Sequence, residues 1–136
     1  MSNVRVAEVE WQGGMRFEGG SPDGPTLLID ADGQASPGPM VSLLVAAAAC
    51  SGADVVSMLP KMQAQLRRFQ IRVTGLRAED HPRRYLKLHF EISIAGDGLD
   101  EAKARRAIDL SFEKYCSVMM SLNPDIPVSY DLVVGD

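Results

Sequence analysis

The chain has 136 residues and a mass of 14.8 kDa, which predicts one domain, residues 1–136, with a core that needs no disulfide support. Its net charge of −4 and pI near 5.1 argue against nucleic acid as the main partner. Two cysteines are too few for a disulfide framework, so we expect a reduced, cytoplasmic protein.

A membrane assignment is also disfavoured. The first residues lack the charged-then-apolar profile of a signal peptide. Residues 40–59 are long enough to span a bilayer, but Asp54 within them would cost about 2.5 to 3.5 kcal/mol at the bilayer centre. We therefore interpret this segment as a core helix and expect no membrane partner.

The N-terminal third predicts three short strands followed by a helix. The strands cover residues 4–11, 15–17 and 26–30, and the first two are separated by a turn at Gly13 and Gly14. Pro37 and Pro39 precede a helix that runs through Cys50 towards residue 65. Pro60 predicts a kink or break near its end.

The remainder predicts two alternating strands, a second helix and a last strand. The strands cover residues 69–74 and 86–94, the helix begins at 99–101, and the last strand covers 126–134. The order βββ-α-ββ-α-β predicts an α+β fold with an antiparallel sheet and two long helices. Because the first helix is apolar on nearly all sides, it requires either deep burial or a core shared with a second copy.

The two cysteines are the candidate chemical groups, because each lies in an apolar helical stretch. Cys50 and Cys116 could form a redox pair if their helices pack together, or both could be small core residues. Asp54 lies one turn from Cys50 and opposes a thiolate there, so a reactive Cys50 needs a cation. Arg16 is our candidate, Arg5 is the other early cation, and a surface role for Arg16 stays open.

No metal or cofactor is expected. His81 is predicted in a loop and His89 on the polar face of its strand, and their spacing with the cysteines matches no zinc signature. The sequence also contains no glycine-rich phosphate loop, nucleophile elbow or dinucleotide fingerprint.

Two stretches resemble the OsmC/Ohr family of thiol-dependent peroxidases, and the likeness is greatest to its small YhfA-like branch. The first runs from Pro39 through the alanine-rich stretch to Cys50 and Asp54-Val55-Val56-Ser57-Met58-Leu59. The second runs from Arg106-Ala107-Ile108-Asp109-Leu110-Ser111 into Glu113-Lys114-Tyr115-Cys116-Ser117-Val118. The resemblance covers nearly the whole chain, including the order of strands and helices.

The resemblance implies an intertwined homodimer with two sites at the subunit interface. It implies that Cys50 attacks an organic hydroperoxide and becomes a sulfenic acid, that Cys116 condenses with it, and that an external dithiol reduces the disulfide. Peroxidases of the family have a glutamate after the proline, which orients an arginine, whereas this chain has Met40 after Pro39. Two functions therefore stay open: a peroxidase using Cys50, Cys116 and Arg16, or a non-catalytic dimer that binds an apolar ligand or senses redox state.

Overall fold

The computed structural model describes residues 3–136, which fall into two compact units, residues 3–43 and 44–136. The observed order of strands and main helices is the predicted one, while the single-domain assignment stays a prediction. The elements are β1 (Glu8–Trp11), β2 (Arg16–Gly20), β3 (Thr26–Asp30), α1 (Pro39–Met58), a 3-10 helix (Leu59–Met62), β4 (Gln65–Arg77), β5 (Tyr85–Asp97), α2 (Glu101–Leu110), a π-helical turn (Ser111–Tyr115), α3 (Ser117–Met120) and β6 (Val128–Val134).

The first unit contains a three-stranded antiparallel sheet in the order β1-β2-β3. Gly13 and Gly14 adopt positive φ angles of 94° and 56° in the turn before β2, as their residue type allows. The strand register places Arg16 opposite Asp30. The three predicted strands are confirmed, although β1 begins at Glu8 and β2 continues to Gly20.

Helix α1 begins at Pro39 and ends at Met58, two residues before Pro60. Proline lacks the N–H that a continuing helix would use, and the chain turns into the 3-10 helix there. Gln63 then adopts a left-handed conformation with φ 58°, and its N–H donates to the Pro60 carbonyl. The predicted break at the proline is confirmed.

The second unit contains a sheet in the order β4-β5-β6. Strands β4 and β5 pair antiparallel along 13-residue strands, and alternate β5 residues form one wall of the core: Leu88, Phe90, Ile92 and Ile94. Leu86, which we expected on the same face, is exposed and Tyr85 is buried instead. A register shift between Leu76 and Arg77 accounts for the exchange, because one inserted residue reverses the faces of a strand.

The prediction of an antiparallel sheet is wrong for the last strand, because β6 pairs parallel to β5. A parallel pair cannot be joined by a hairpin and needs a crossover connection, which the α2 segment between the two strands supplies. The register runs from Leu88 opposite Val128 to Ile94 opposite Val134.

The second helix is interrupted rather than continuous. Asp100 caps α2, since its Oδ1 accepts a hydrogen bond from the Lys103 N–H at 2.8 Å. After Leu110 the backbone widens into the π-helical turn, and Cys116 is extended before α3 begins. Within the turn, the Phe112 ring packs 4.8 Å from the Phe90 ring of β5. The prediction that Cys116 lies within a helical stretch is therefore wrong.

Helix α1 buries little of its apolar surface within the chain: Ala47, Ser51 and Val55 are its buried residues. The segment Pro39–Met62 is long enough to cross a bilayer, and its most apolar 18-residue window has a mean hydropathy of 1.8, with 17% of that window buried. A core helix of a soluble protein passes the same test of length and composition. The second unit therefore does not bury this helix deeply.

Candidate functional site

The structure brings Cys50 and Cys116 together. Both are free cysteines. The hydroxyl of Ser51, the residue after Cys50 on α1, lies 3.3 Å from the Cys116 sulfur, and the Cys50 thiol is near enough to raise the pKa of Cys116. Cys50 is half-buried on α1, whereas Cys116 is 0% exposed. The sequence left open whether the two helices pack with their cysteines adjacent, and the structure places the Cys116 sulfur against the residue that follows Cys50.

The break in the second helix holds the Cys116 side chain in place. The Cys116 N–H donates to the Ser111 carbonyl at 2.8 Å and closes the π-helical turn. The Cys116 sulfur then caps α3 by accepting a hydrogen bond from the Met119 N–H at 3.4 Å. A second donor is the Ser51 hydroxyl on α1, whose oxygen lies 3.3 Å from the sulfur. The sulfur is thus fixed from both elements.

The environment of Cys116 favours the neutral thiol. Burial is the largest influence and raises the pKa of Cys116, because a thiolate loses its hydration there. The hydrogen bonds from Ser51 and Met119 lower the pKa, and the neighbouring Cys50 thiol raises it. The net effect is a raised pKa, so Cys116 forms a thiolate less readily at neutral pH than an ordinary cysteine does.

Ser111 links the π-helical turn to α1. Its hydroxyl donates to Asp54 Oδ2 at 2.8 Å, and its oxygen also lies 3.5 Å from the Ser51 carbonyl. Neither this pair nor the Ser51 contact was predicted from the sequence. The sequence does indicate that partners are needed, because Ser51 and Asp54 are polar residues in an apolar helix, one turn or less from Cys50. Buried polar groups require hydrogen-bond partners.

A cavity of about 660 Å³ lies beside this network. Residues 54, 57, 58 and 61 follow Cys50 at helical spacing along one side of the segment and line one wall. Its lining combines the cations Lys61 and Arg106 with apolar and aromatic side chains. The full lining is Asp54, Ser57, Met58, Lys61, Met62, Arg106, Leu110 and Tyr115.

Arg16 lies in the first unit, at the start of β2 opposite Asp30. Its charge contributes to a lowered Asp30 pKa, although the larger influences are hydrogen bonds from the backbone N–H groups of Ala35 and Asp32. The Asp30 carboxylate thereby organises the loop that follows β3. The activation of Cys50 by Arg16 stays a prediction.

Histidine and cysteine do not combine into a metal site among residues 3–136, where no group of three or more potential ligands occurs. His89 lies on the polar face of β5, as its strand pattern predicted. Its ring nitrogens contact Ser129 Oγ at 2.7 Å and Asp131 Oδ2 at 3.1 Å, both on β6. This cluster therefore joins the two parallel strands.

Comparison with known proteins identifies relatives that match nearly the whole chain. The family described as OsmC-like protein matches residues 31–131. Protein YhfA of Escherichia coli K12 is 37% identical over 132 residues, covering 95% of this chain and 98% of its own length.

Two solved structures show the same fold. The OsmC-like protein of Mycoplasma pneumoniae superposes with a TM-score of 0.84 at 17% identity, with 100% of each chain covered. The organic hydroperoxide resistance protein OhrB of Bacillus subtilis superposes with a TM-score of 0.62 at 20% identity, covering 94% of this chain and 98% of its own. At these identities the likeness concerns the fold alone.

Proposed function

Since this chain belongs to the OsmC-like family, we propose that it is a thiol-dependent peroxidase that reduces organic hydroperoxides. The observation that carries the proposal is the pairing of a half-buried Cys50 with a fully buried Cys116. A peroxide can reach the more accessible thiol, Cys50. Once Cys50 is oxidised, the buried Cys116 thiol can condense with it to form a disulfide. The substrate class is proposed from the resemblance to the OsmC/Ohr family of peroxidases, and OhrB, an organic hydroperoxide resistance protein, shares the fold.

The proposed reaction has three steps. The Cys50 thiolate attacks the terminal peroxide oxygen, the O–O bond breaks, and the released alkoxide takes a proton to become the alcohol. The resulting Cys50 sulfenic acid is attacked by the Cys116 thiolate, which forms the disulfide and releases hydroxide that is protonated to water. An external dithiol then reduces the disulfide by two exchange steps and leaves as its own disulfide.

Activation of Cys50 requires a positive charge, because Asp54 lies one turn away and α1 is apolar. In the chain Met40 stands where the resemblance implies a glutamate that would orient an arginine. We retain Arg16 as the activating residue in this proposal. Asp30 interacts with Arg16, so this carboxylate can orient the arginine in place of the glutamate that the chain lacks.

A homodimer belongs to the same proposal. Within the second unit, α1 exposes Val45 and Val56 together with several of its alanines. Such a surface is stabilised when a second copy covers it, at roughly 25 cal/mol per Å² of apolar area removed from water. We further propose that the protein acts in the cytoplasm, where a dithiol pool can return the disulfide to the reduced pair.

The second candidate function is a non-catalytic dimer that binds an apolar ligand or senses redox state. The observation that favours it is the cavity beside the cysteines, whose volume of about 660 Å³ is within the range of small-molecule sites. In this case Cys50 would serve as part of a binding surface or as a reporter of redox state.

A steady-state assay distinguishes the two functions. Cumene hydroperoxide and a dithiol are supplied to the protein, and loss of hydroperoxide is followed beside a Cys50→Ser control. Turnover that disappears in the control supports the peroxidase. A rate equal to that of the control contradicts it and favours ligand binding.

A further inference from the structure

Ser51 holds an unusual place between the two cysteines. It follows Cys50 directly on α1, is 2% exposed, and its hydroxyl contacts the Cys116 sulfur at 3.3 Å. A serine hydroxyl has one proton to donate, and in a helix interior it commonly donates to the carbonyl one turn before. Here it reaches instead across 65 residues of sequence to the other cysteine.

We propose that Ser51 is a positioning residue for the resolving step, donating the hydrogen bond that stabilises the Cys116 thiolate as it attacks Cys50. The inference rests on the proposed function and extends it to a residue with no redox chemistry of its own. The Met119 N–H supplies a second donor to the same sulfur. Two donors from two elements thus surround the atom on which negative charge develops.

The physical need for such a donor follows from burial. A fully buried sulfur resists ionisation, and burial is the largest influence that raises the pKa of Cys116. Ser51 and Met119 act in the opposite direction. The titratable neighbour of the sulfur is Cys50, and Asp54 lies one hydrogen bond further away, on Ser111. Ser51 is therefore the side chain that can favour the thiolate directly.

The resolving step can be measured without a peroxide. Ellman's reagent, 5,5′-dithiobis(2-nitrobenzoic acid), first reacts with Cys50, giving a mixed disulfide and one thionitrobenzoate. The Cys116 thiolate then attacks the Cys50 sulfur, forms the protein disulfide and releases a second thionitrobenzoate. Stopped-flow absorbance follows both phases across pH, and Cys116→Ser identifies the second phase by losing it.

Ser51→Ala removes one oxygen and keeps a good helix former, so the fold is expected to persist. Loss of a hydrogen bond to a charged group is expected to raise the midpoint of the second-phase pH profile by about one unit. A raised midpoint lowers the thiolate fraction at neutral pH, but the more basic thiolate is also more nucleophilic. The higher nucleophilicity offsets about half of the loss in rate on a logarithmic scale. The second phase at pH 7 should therefore slow about threefold, without a lower plateau at high pH.

Ser121→Ala is the matched control, because its exposed hydroxyl donates to the Ser117 carbonyl and not to the sulfur. Its second-phase midpoint should coincide with that of the unsubstituted protein. A Ser51→Ala profile that superimposes on that of the unsubstituted protein overturns the inference, and so does an equal shift in Ser121→Ala. Because the assay contains no hydroperoxide, a shifted midpoint without peroxidase turnover would contradict the proposed function and leave the role of Ser51 standing.

Discussion

The two cysteines of this chain occupy contrasting backbone environments. Cys50 lies in the middle of the regular helix α1 and is half-buried. Cys116 lies at a break between a π-helical turn and a short helix, is fully buried, and accepts two hydrogen bonds. The first arrangement leaves a thiol accessible, and the second fixes a sulfur in one orientation. The contrast agrees with the different tasks that we propose for the two side chains.

The sharpest way to break this comparison is to remove each thiol in turn. Cys50→Ser should abolish peroxidase activity, because a serine hydroxyl at this site has no thiolate for O–O cleavage. Cys116→Ser should complete one turnover and then stall, because no second thiol resolves the sulfenic acid. Single-turnover and steady-state measurements with cumene hydroperoxide separate the two outcomes.

Mass spectrometry of the stalled Cys116→Ser protein completes this test. Further hydroperoxide should carry Cys50 to sulfinic acid, since no disulfide protects it. Equal multiple-turnover rates in the Cys116→Ser and unsubstituted proteins would contradict a resolving role for Cys116.

The exposed side of α1 offers a second test, on the proposed homodimer. Val45 is 57% exposed in the single chain, and Val45→Glu should cause dissociation if a second copy covers it. An unpaired buried charge costs about 3 kcal/mol or more, whereas an exposed substitution changes stability by about 0.5 kcal/mol or less. Sedimentation velocity at micromolar concentration measures the change.

Val133→Glu is the matched control, because Val133 is 64% exposed on the outward side of β6. It should sediment as the unsubstituted protein does. A stable, folded monomer for the unsubstituted protein at micromolar concentration would contradict the dimer.

Removing the hydrogen bond from Ser111 to Asp54 tests how firmly the π-helical turn before Cys116 is attached to α1. Ser111→Ala should lower the free energy of unfolding by about 1 to 3 kcal/mol, because it leaves a part-buried carboxylate without its donor. Ser121→Ala removes an exposed hydroxyl contact to the Ser117 carbonyl and should cost less. Urea unfolding compares them, and equal losses would contradict a special role for Ser111.

The smallest expected effect concerns Arg16. Arg16→Ala should slow alkylation of Cys50 at neutral pH and move its pH profile upward, with the fold intact, because a cation favours the thiolate. Arg5→Ala is the control, since Arg5 is the other early cation that the sequence offers. The rates at which iodoacetamide alkylates Cys50, measured across pH in the variants and in the unsubstituted protein, test this prediction. Superimposable profiles for Arg16→Ala and the unsubstituted protein would assign Arg16 to ordinary surface charge.

Local sequence signals predicted much of the fold. The break after Met58 follows from Pro60, and the strand order follows from alternating patterns and glycine turns. The parallel pairing of β6 could not be read in this way, because it depends on where the crossover returns the chain. The π-helical turn was also hidden, since the apolar stripe continues through Phe112 to Cys116 at helical spacing.

For the candidate site, the sequence identified Cys50 and Cys116 as the candidate chemical groups but not the groups that hold them. Ser51 and Asp54 are polar residues within an apolar helix, and their partners lie on an element more than 50 residues away. Their position in the helix indicates that they need partners, but which residues serve as partners depends on tertiary structure. The interaction of Arg16 with Asp30 likewise depends on the register of β2 and β3.

The central claim is that Cys50 attacks and Cys116 resolves. One equivalent of cumene hydroperoxide is added to the reduced, unsubstituted protein, and both cysteines are located by mass spectrometry with a sulfenic-acid trap present. These roles predict trapped sulfenic acid at Cys50 at early times, followed by a Cys50–Cys116 disulfide. Oxidised Cys116 beside an untouched Cys50 would contradict them.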